Sequence, residues 1–173
     1  MDKVQEYWSE RALTSSQTAT TNDLYLRRLE AEILKAELNA LNLAPGSNVL
    51  DIGCGDGETT AKIARSFPSV KFLGVDFSSQ MIDLAKAKSD GERVTFSVCD
   101  VRNLSDNFRD RSFDVIVSNR CLINLLDKAE QFEALNQIRS RLRHGGHFLG
   151  TENFLGGQMV LNAVRHSLGL EEI

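Results

Sequence analysis

The sequence predicts an α/β fold, a three-layer α/β/α sandwich built on a mainly parallel sheet. Two observations predict it. From residue 48 onward, short apolar runs of strand length alternate with stretches of helical length, and Pro, Gly or Asp-Gly marks most of the changes. A glycine-rich turn also stands between the first of these strands and the helix that follows it. Strands separated by helices call for right-handed crossovers and hence parallel neighbours.

The elements follow in order. MDKVQEYWSERA contains a short helix and no apolar core of the kind a secretory leader carries. Residues 9–23, SERALTSSQTATTND, are polar and rich in Ser and Thr, and read as a loop or flexible lid. A helix is expected from Leu24 to Leu43, where Leu26, Leu29, Ile33, Ala36 and Ala40 recur at helical spacing. Asn22 or Asp23 can cap it, and Ala44-Pro45-Gly46 ends it. Strands are expected at Asn48–Ile52, Lys71–Val75, Val94–Val98, Asp114–Ser118 and His147–Thr151. Between the first four fall helices at Glu58–Phe67, stopped by Pro68, and Ser79–Lys88, ending before Asp90-Gly91. A helix over Lys128–Arg143 opens on a capping-box pattern of Asp127 and Glu130 and closes at Gly145-Gly146. A last amphipathic helix is expected over Gly157–Leu168.

Bulk properties narrow the classes. The 173 residues are 42% hydrophobic and 25% charged, enough for one domain with a core that needs no disulfide. A net charge of -4 does not steer the chain toward nucleic acid or an anionic membrane, and no apolar run has the length of a membrane span. Cys54, Cys99 and Cys121 form no CxxC pair, so neither a zinc site nor a disulfide framework is expected. Reduced thiols fit a cytoplasmic protein. His144, His147 and His166 lack metal-ligand spacing and read as surface residues, so no metal is expected.

Ligands of parallel sheets bind beyond the carboxyl ends of the strands. The first such place is Val49-Leu50-Asp51-Ile52-Gly53-Cys54-Gly55-Asp56-Gly57. Glycines at 53, 55 and 57 let the backbone turn sharply and approach a ligand. A dinucleotide loop would need a third glycine where Glu58 stands. Asp51, Asp56 and Glu58 would repel a diphosphate but not a sulfonium with an ammonium group, which favours S-adenosylmethionine. Asp76, 23 residues past Gly53, can accept hydrogen bonds from ribose hydroxyls, or it can cap the next helix. Asp100, after the third strand and beside Val101, can accept from the exocyclic amine of an adenine, or serve as turn chemistry. Asn119 and Arg120, at the end of the fourth strand, can line the boundary between cofactor and substrate, and Arg120 can equally be ion-paired. Cys54 lies inside the loop and reads as packing.

These four segments, in this order, resemble the class I S-adenosylmethionine-dependent methyltransferases from about Val49 to Phe154, with the small-molecule enzymes nearest in the stretch Ser118–Leu125. The resemblance implies a Rossmann-like core over residues 46–173, with residues 1–45 as lid and outer layer of one domain. It implies that Asp51, Gly53, Cys54, Gly55 and Gly57 hold the methionine portion, Asp76 the ribose, Asp100 and Val101 the adenine edge, and that Phe77 and Met81 flank the ring. Tyr7-Trp8-Ser9-Glu10-Arg11 would fold over the site, or Tyr7 and Trp8 would simply pack. The family adds two further strands that this sequence lacks before Ile173, so the fifth strand should be an edge: either the chain is C-terminally truncated, or a second copy or another partner covers that edge.

The expected reaction is in-line methyl transfer to a small molecule, with a protein side chain as the second choice of acceptor. Only two prolines occur, Pro45 and Pro68, so the Pro-Pro motif of DNA amino-methyltransferases is absent. His147, Glu152 and Asp127 are guesses for a base, and no catalytic residue is assigned. The rival readings are a non-catalytic S-adenosylmethionine-binding module or truncated subunit and, less favoured, a nicotinamide-dependent oxidoreductase.

Overall fold

The computed structural model describes residues 3–14 and 19–171. Two helices, α1 (Lys3–Thr14) and α2 (Leu24–Ala40), precede an alternating series. That series runs β1 (Asn48–Ile52), α3 (Glu58–Ala64), β2 (Lys71–Asp76), α4 (Ser79–Lys86), β3 (Val94–Val98), α5 (Leu104–Asn107), β4 (Phe113–Asn119), α6 (Lys128–Arg141), β5 (Leu142–Thr151) and α7 (Leu155–Ser167). The five strands form one parallel sheet in the order β3-β2-β1-β4-β5. The order reverses at β1, so the crevice beyond β1 and β4 is where a ligand is expected. Among the described residues no helix is long and apolar enough to cross a membrane.

Both faces of the central strands β1, β2 and β4 are buried, which is why they read as nearly unbroken apolar runs, whereas β5 has no buried residue. Val49, Phe72, Val94, Val115 and Val117 pack on one face with Leu34 and Leu38 of α2, Ile63 of α3 and Ile82 of α4. Their neighbours Leu50, Ile52, Leu73, Val75 and Ile116 pack on the other with Leu104, Phe108, Ala134 and Ile138. Caps start the helices where the sequence offers them. Asp23 accepts from Leu26 N at 2.8 Å, and Ser78 accepts from Met81 N at 3.3 Å.

Several expectations are corrected. Residues 9–14 of the expected lid are helical, part of α1, while 15–18 lie outside the described residues. The apolar row predicted to bury α2 faces outward, with Leu26, Leu29 and Ile33 exposed, and Ala31, Leu34 and Leu38 are buried instead. Two apolar rows lie side by side on this helix, and spacing alone does not say which one meets α3. Asp127 caps α6 through Ala129 N at 2.7 Å, but Glu130 does not close a capping box. It is drawn off to Arg102, 2.6 Å away.

The last strand begins at Leu142 rather than His147. Leu142 pairs with Phe113, and a register shift follows before His147 meets Val115. Gly145, at φ +75°, and Gly146, whose added Cβ would lie 3.0 Å from Asp114 O, bulge out of the ladder instead of terminating α6. As expected, β5 is an edge strand. Beyond it, no described residue of α7 is buried, and Leu155, Met159, Val160 and Val164 are exposed. Single 3-10 turns at Val101–Asn103 and Leu122–Asn124, together with α5, lay beneath the resolution of periodicity.

Candidate functional site

A cavity of about 1150 Å³, counting its mouth, opens beyond the carboxyl ends of β1, β2, β3 and β4. Its floor is the turn after β1. The Cys54 N–H donates to Val75 O at 2.9 Å and the Gly55 N–H to Asp76 Oδ2 at 3.0 Å, which folds the glycine turn onto β2. Gly53 and Gly55 both have positive φ. A Cβ on Gly53 would meet Cys121 at 2.6 Å, and one on Gly55 would meet Thr20 Cγ2 at 2.3 Å. Only glycine permits both the turn and these close approaches.

Two buried carboxylates flank the turn. Asp51, on β1, accepts from Thr60 Oγ1 through Oδ2, while its Oδ1 is buried with no hydrogen-bond partner among the described residues. Burial pushes its pKa up to about 7, the Thr60 hydrogen bond opposes that rise, and the neighbouring Asp76 adds to it. Asp76 accepts from Gly55 N and, through Oδ1, from Ser78 N at 2.9 Å. Burial raises its pKa to about 6 against those backbone hydrogen bonds, with Asp100 adding repulsion. Asp76 thus makes the cap-like contact the sequence allowed while still facing the cavity. Burial likewise pushes the thiols of Cys54, Cys99 and Cys121 upward, so they stand protonated around the cavity.

Phe77, Met81 and Val101 supply apolar wall near the ends of β2 and β3. Asp100 faces the cavity but is held by Arg102, whose Nη2 lies 2.6 Å from Oδ2 and whose Nε lies 3.0 Å from both carboxylate oxygens. The far wall is the segment after β4. Asn119, Arg120, Cys121, Ile123, Asn124 and Leu125 all line it. Glu152, just past β5, ties that segment down. Its Oε1 accepts from Ser118 Oγ, Cys121 N and Leu122 N, and its Oε2 accepts from Ile123 N.

Helix α1 crosses the mouth. Val4 and Trp8 line the cavity, and Trp8 Nε1 donates to Asn124 Oδ1 at 3.3 Å. Gln5 donates to Phe77 O at 3.2 Å, and the Ser9 and Ser78 hydroxyls lie 3.1 Å apart. Trp8 both packs on Ala12, Ala19 and Met81 and lines the space, so the two alternatives for it coexist.

Of the residues singled out from sequence, Asp51, Gly53, Cys54, Gly55, Asp76, Phe77, Met81, Asp100, Val101, Asn119 and Arg120 come together around this cavity. Gly57 does not. It caps α3 at φ +73°, and its added Cβ would strike Ala85 and Phe96 at 2.8 Å, so its glycine serves packing beneath the turn. The electrostatic basis is corrected too. Asp56 is ion-paired with Arg27 of α2, and Glu58 faces the outer side, so the acids that meet the cavity are Asp51, Asp76 and Asp100. None of the guessed bases lines the cavity: Asp127 caps α6, His147 sits in β5, and Glu152 is fully engaged as a staple.

Arg27, Thr20 and Arg102 were not singled out in the sequence, and Glu152 stood out there only as a guess for a base. A signal existed for α2, because Arg27 and Glu30 stand on the same helical face as Ala31, Leu34 and Leu38. Charges set in a buried stripe mark polar business at one end of it.

Comparison with known proteins places this geometry. A family profile described as a methyltransferase domain matches residues 49–146. Malonyl-(acyl-carrier protein) O-methyltransferase of Paenibacillus sp. (strain JDR-2) is 28% identical over 154 residues, 84% of this chain and 55% of that protein. Phosphoethanolamine N-methyltransferase 1 of Arabidopsis thaliana is 36% identical over 103 residues, 58% of this chain and 20% of that protein. The chain therefore spans about half the length, or less, of these relatives. In fold, it matches the N-methyltransferase NodS from Bradyrhizobium japonicum WM9 in complex with S-adenosylhomocysteine, with a TM-score of 0.70 and 21% identity over 86% of this chain and 72% of that one. With a profile match over more than half its length, framing the strands whose ends build the cavity, the chain belongs to the methyltransferase-domain family.

Proposed function

We propose that the cavity binds S-adenosylmethionine and that the protein transfers its methyl group to a small-molecule acceptor. The observation that carries this reading is the buried, unpartnered Oδ1 of Asp51 at the cavity wall, set beside Asp76. A buried acceptor without a donor is costly, and an ammonium group from the cofactor's methionine end would satisfy it. Asp76 would take the ribose hydroxyls on its remaining lone pairs. Phe77, Met81 and Val101 would sandwich the adenine, and Asp100, steadied by Arg102, would face the adenine edge. A pyrophosphate would instead meet two buried carboxylates, which disfavours a nicotinamide cofactor.

When bound, S-adenosylmethionine supplies an electrophilic methyl group on a sulfonium sulfur. The protein's part is to hold the two partners in line and exclude water. Asp51 and Asp76 fix one end of the site, the wall from Asn119 to Leu125 bounds the other, and α1 covers both. The acceptors named for the two relatives are phosphoethanolamine, a small molecule, and malonyl-(acyl-carrier protein), a small acyl group borne by a protein, which supports a small acceptor group here. A binding module without turnover is the second reading, favoured by the lack of any histidine among the described residues lining the cavity. The open edge of β5 and the exposed apolar residues of α7 support a covering partner or second copy, and the three unpaired thiols support a cytoplasmic setting.

Calorimetric titration tests the cofactor. S-adenosylmethionine and S-adenosylhomocysteine should bind and NADH should not. Asp76→Ala should weaken S-adenosylmethionine binding by about 1–3 kcal/mol, the worth of charge-assisted hydrogen bonds. Wild-type affinity in that variant, or tight binding of NADH, would remove the assignment.

A further inference from the structure

The cavity is lined by three arginines, and they are not alike. Arg27 is hydrogen-bonded to Asp56, and Arg102 to Asp100 and Glu130. Arg120 differs. It is ion-paired with the buried Glu30, as the sequence allowed, Nε standing 3.1 Å from Oε1 without the alignment of a hydrogen bond, and its two terminal nitrogens lie outside that pair. Its backbone is fastened nevertheless. Arg120 holds φ +55°, a conformation rare for a residue with a side chain. Its N–H donates to Thr151 O at 2.8 Å, and its carbonyl accepts from Asn124 Nδ2 at 2.7 Å. A strained residue clamped from both sides, ion-paired through Nε and keeping its two terminal nitrogens for a partner at a cavity wall, has the form of a receptor for a two-oxygen anion.

Its position agrees. Asp51 and Asp76 stand at the ends of β1 and β2, whereas Arg120 follows β4, on the other side of β1 in the sheet order. The site therefore presents two acids toward β2 and, toward β4, the guanidinium of the Arg120–Glu30 pair. Resting on the methyl-transfer reading above, we propose that Arg120 receives a carboxylate or phosphate carried by the methyl acceptor, while the acids opposite hold the cationic cofactor. The anion is oriented bidentately by the guanidinium fork, and an uncharged analogue of the same shape is rejected because it leaves that fork unpaired.

The test uses the whole chain saturated with S-adenosylhomocysteine and titrated calorimetrically with malonate, its neutral isostere malonamide, and inorganic phosphate. Malonate or phosphate should bind at least tenfold more tightly than malonamide, and comparison of the two anions separates carboxylate from phosphate. Arg120→Asn keeps a residue that tolerates positive φ and should erase the preference. Arg120→Lys, which keeps the charge but loses the fork, should fall between. Equal binding of malonate and malonamide by the wild type, or an intact preference in Arg120→Asn, overturns the proposal. Should Arg120→Asn fail to fold, the wild-type comparison and the lysine variant decide alone. Failure of S-adenosylhomocysteine itself to bind brings down the underlying reading and this inference together, whereas its binding without anion preference brings down the inference only.

Discussion

Asp51→Asn should make the ligand-free protein more stable at pH 8 and a poorer binder of S-adenosylmethionine. Burial lifts the Asp51 pKa from 3.8 to about 7, because one carboxylate oxygen has only Thr60 and the other has no partner. A shift of roughly three units corresponds to about 4 kcal/mol for holding the charge at pH 8. Since the folded pKa lies above the unfolded one, the native state takes up the extra proton between about pH 4 and pH 7. The stability Asp51 contributes is complete below that window and lost as pH rises through it. Asp76, raised to about 6, acts with the same sign. Asparagine keeps an acceptor for Thr60 and carries no charge, so a gain on the order of 2–4 kcal/mol at pH 8 should appear as a rise in Tm of roughly 5–10 °C. At pH 5 the gain should fall below half of that. Cofactor affinity runs the other way. It should rise with pH between about 5 and 8 in the wild type, as Asp51 and Asp76 ionise, and drop at least tenfold in the variant. Thermal melts at the two pH values with a matched titration check both halves, and a variant no more stable at pH 8 than the wild type refutes the argument. A binding residue left costly in the empty state is the usual exchange of stability for function.

The parts of this protein legible in its sequence are those set by local pattern. Val94–Val98 and Asn48–Ile52 were placed to the residue, because an apolar run bounded by turn residues has one reading in a parallel sheet. The turn after β1 and Asp76 were legible for the same reason, since a parallel sheet fixes where strand ends meet. What escaped depended on partners distant in the chain. Which face of α2 is buried is decided by α3 and β5, so spacing points to the row through Leu29 and Ile33 while the structure buries the row through Leu34 and Leu38. Gly145-Gly146 carries the same letters whether it ends a helix or bulges a strand, and only the pairing of Leu142 with Phe113 separates the two. Gly57 belonged to the glycine pattern, yet its reason is Phe96 on another strand. The acids at the cavity are only partly those that stand in the loop. Asp56 is neutralised by an arginine 29 positions away, and Asp76 takes its place.

Glu152→Ala should cost about 3 kcal/mol of stability, lowering Tm by roughly 6–12 °C, because charge-assisted hydrogen bonds are the strong ones and their loss strands part-buried donors. Four donors converge on this side chain: Ser118 Oγ and the amides of Cys121, Leu122 and Ile123. Those amides open the 3-10 turn Leu122–Asn124, which has no side-chain cap of its own from Cys121, so a carboxylate from the end of β5 does that work. The consequence travels further than stability. Asn124, at the end of that turn, holds the Arg120 carbonyl and receives Trp8 of α1, so one carboxylate braces the cavity wall after β4 and, through it, α1. Hydrogen exchange at Cys121, Leu122 and Ile123 should be slow in the wild type and fast in the variant, while Glu152→Gln, which keeps an acceptor at Oε1, should lose about half as much stability. A Tm within 2 °C of wild type, or unchanged exchange, would show that the turn stands without it. The same four donors explain why Glu152 is a poor choice of base: a proton taken up there would remove the charge that strengthens those four hydrogen bonds, and the wall would loosen at the moment it is needed.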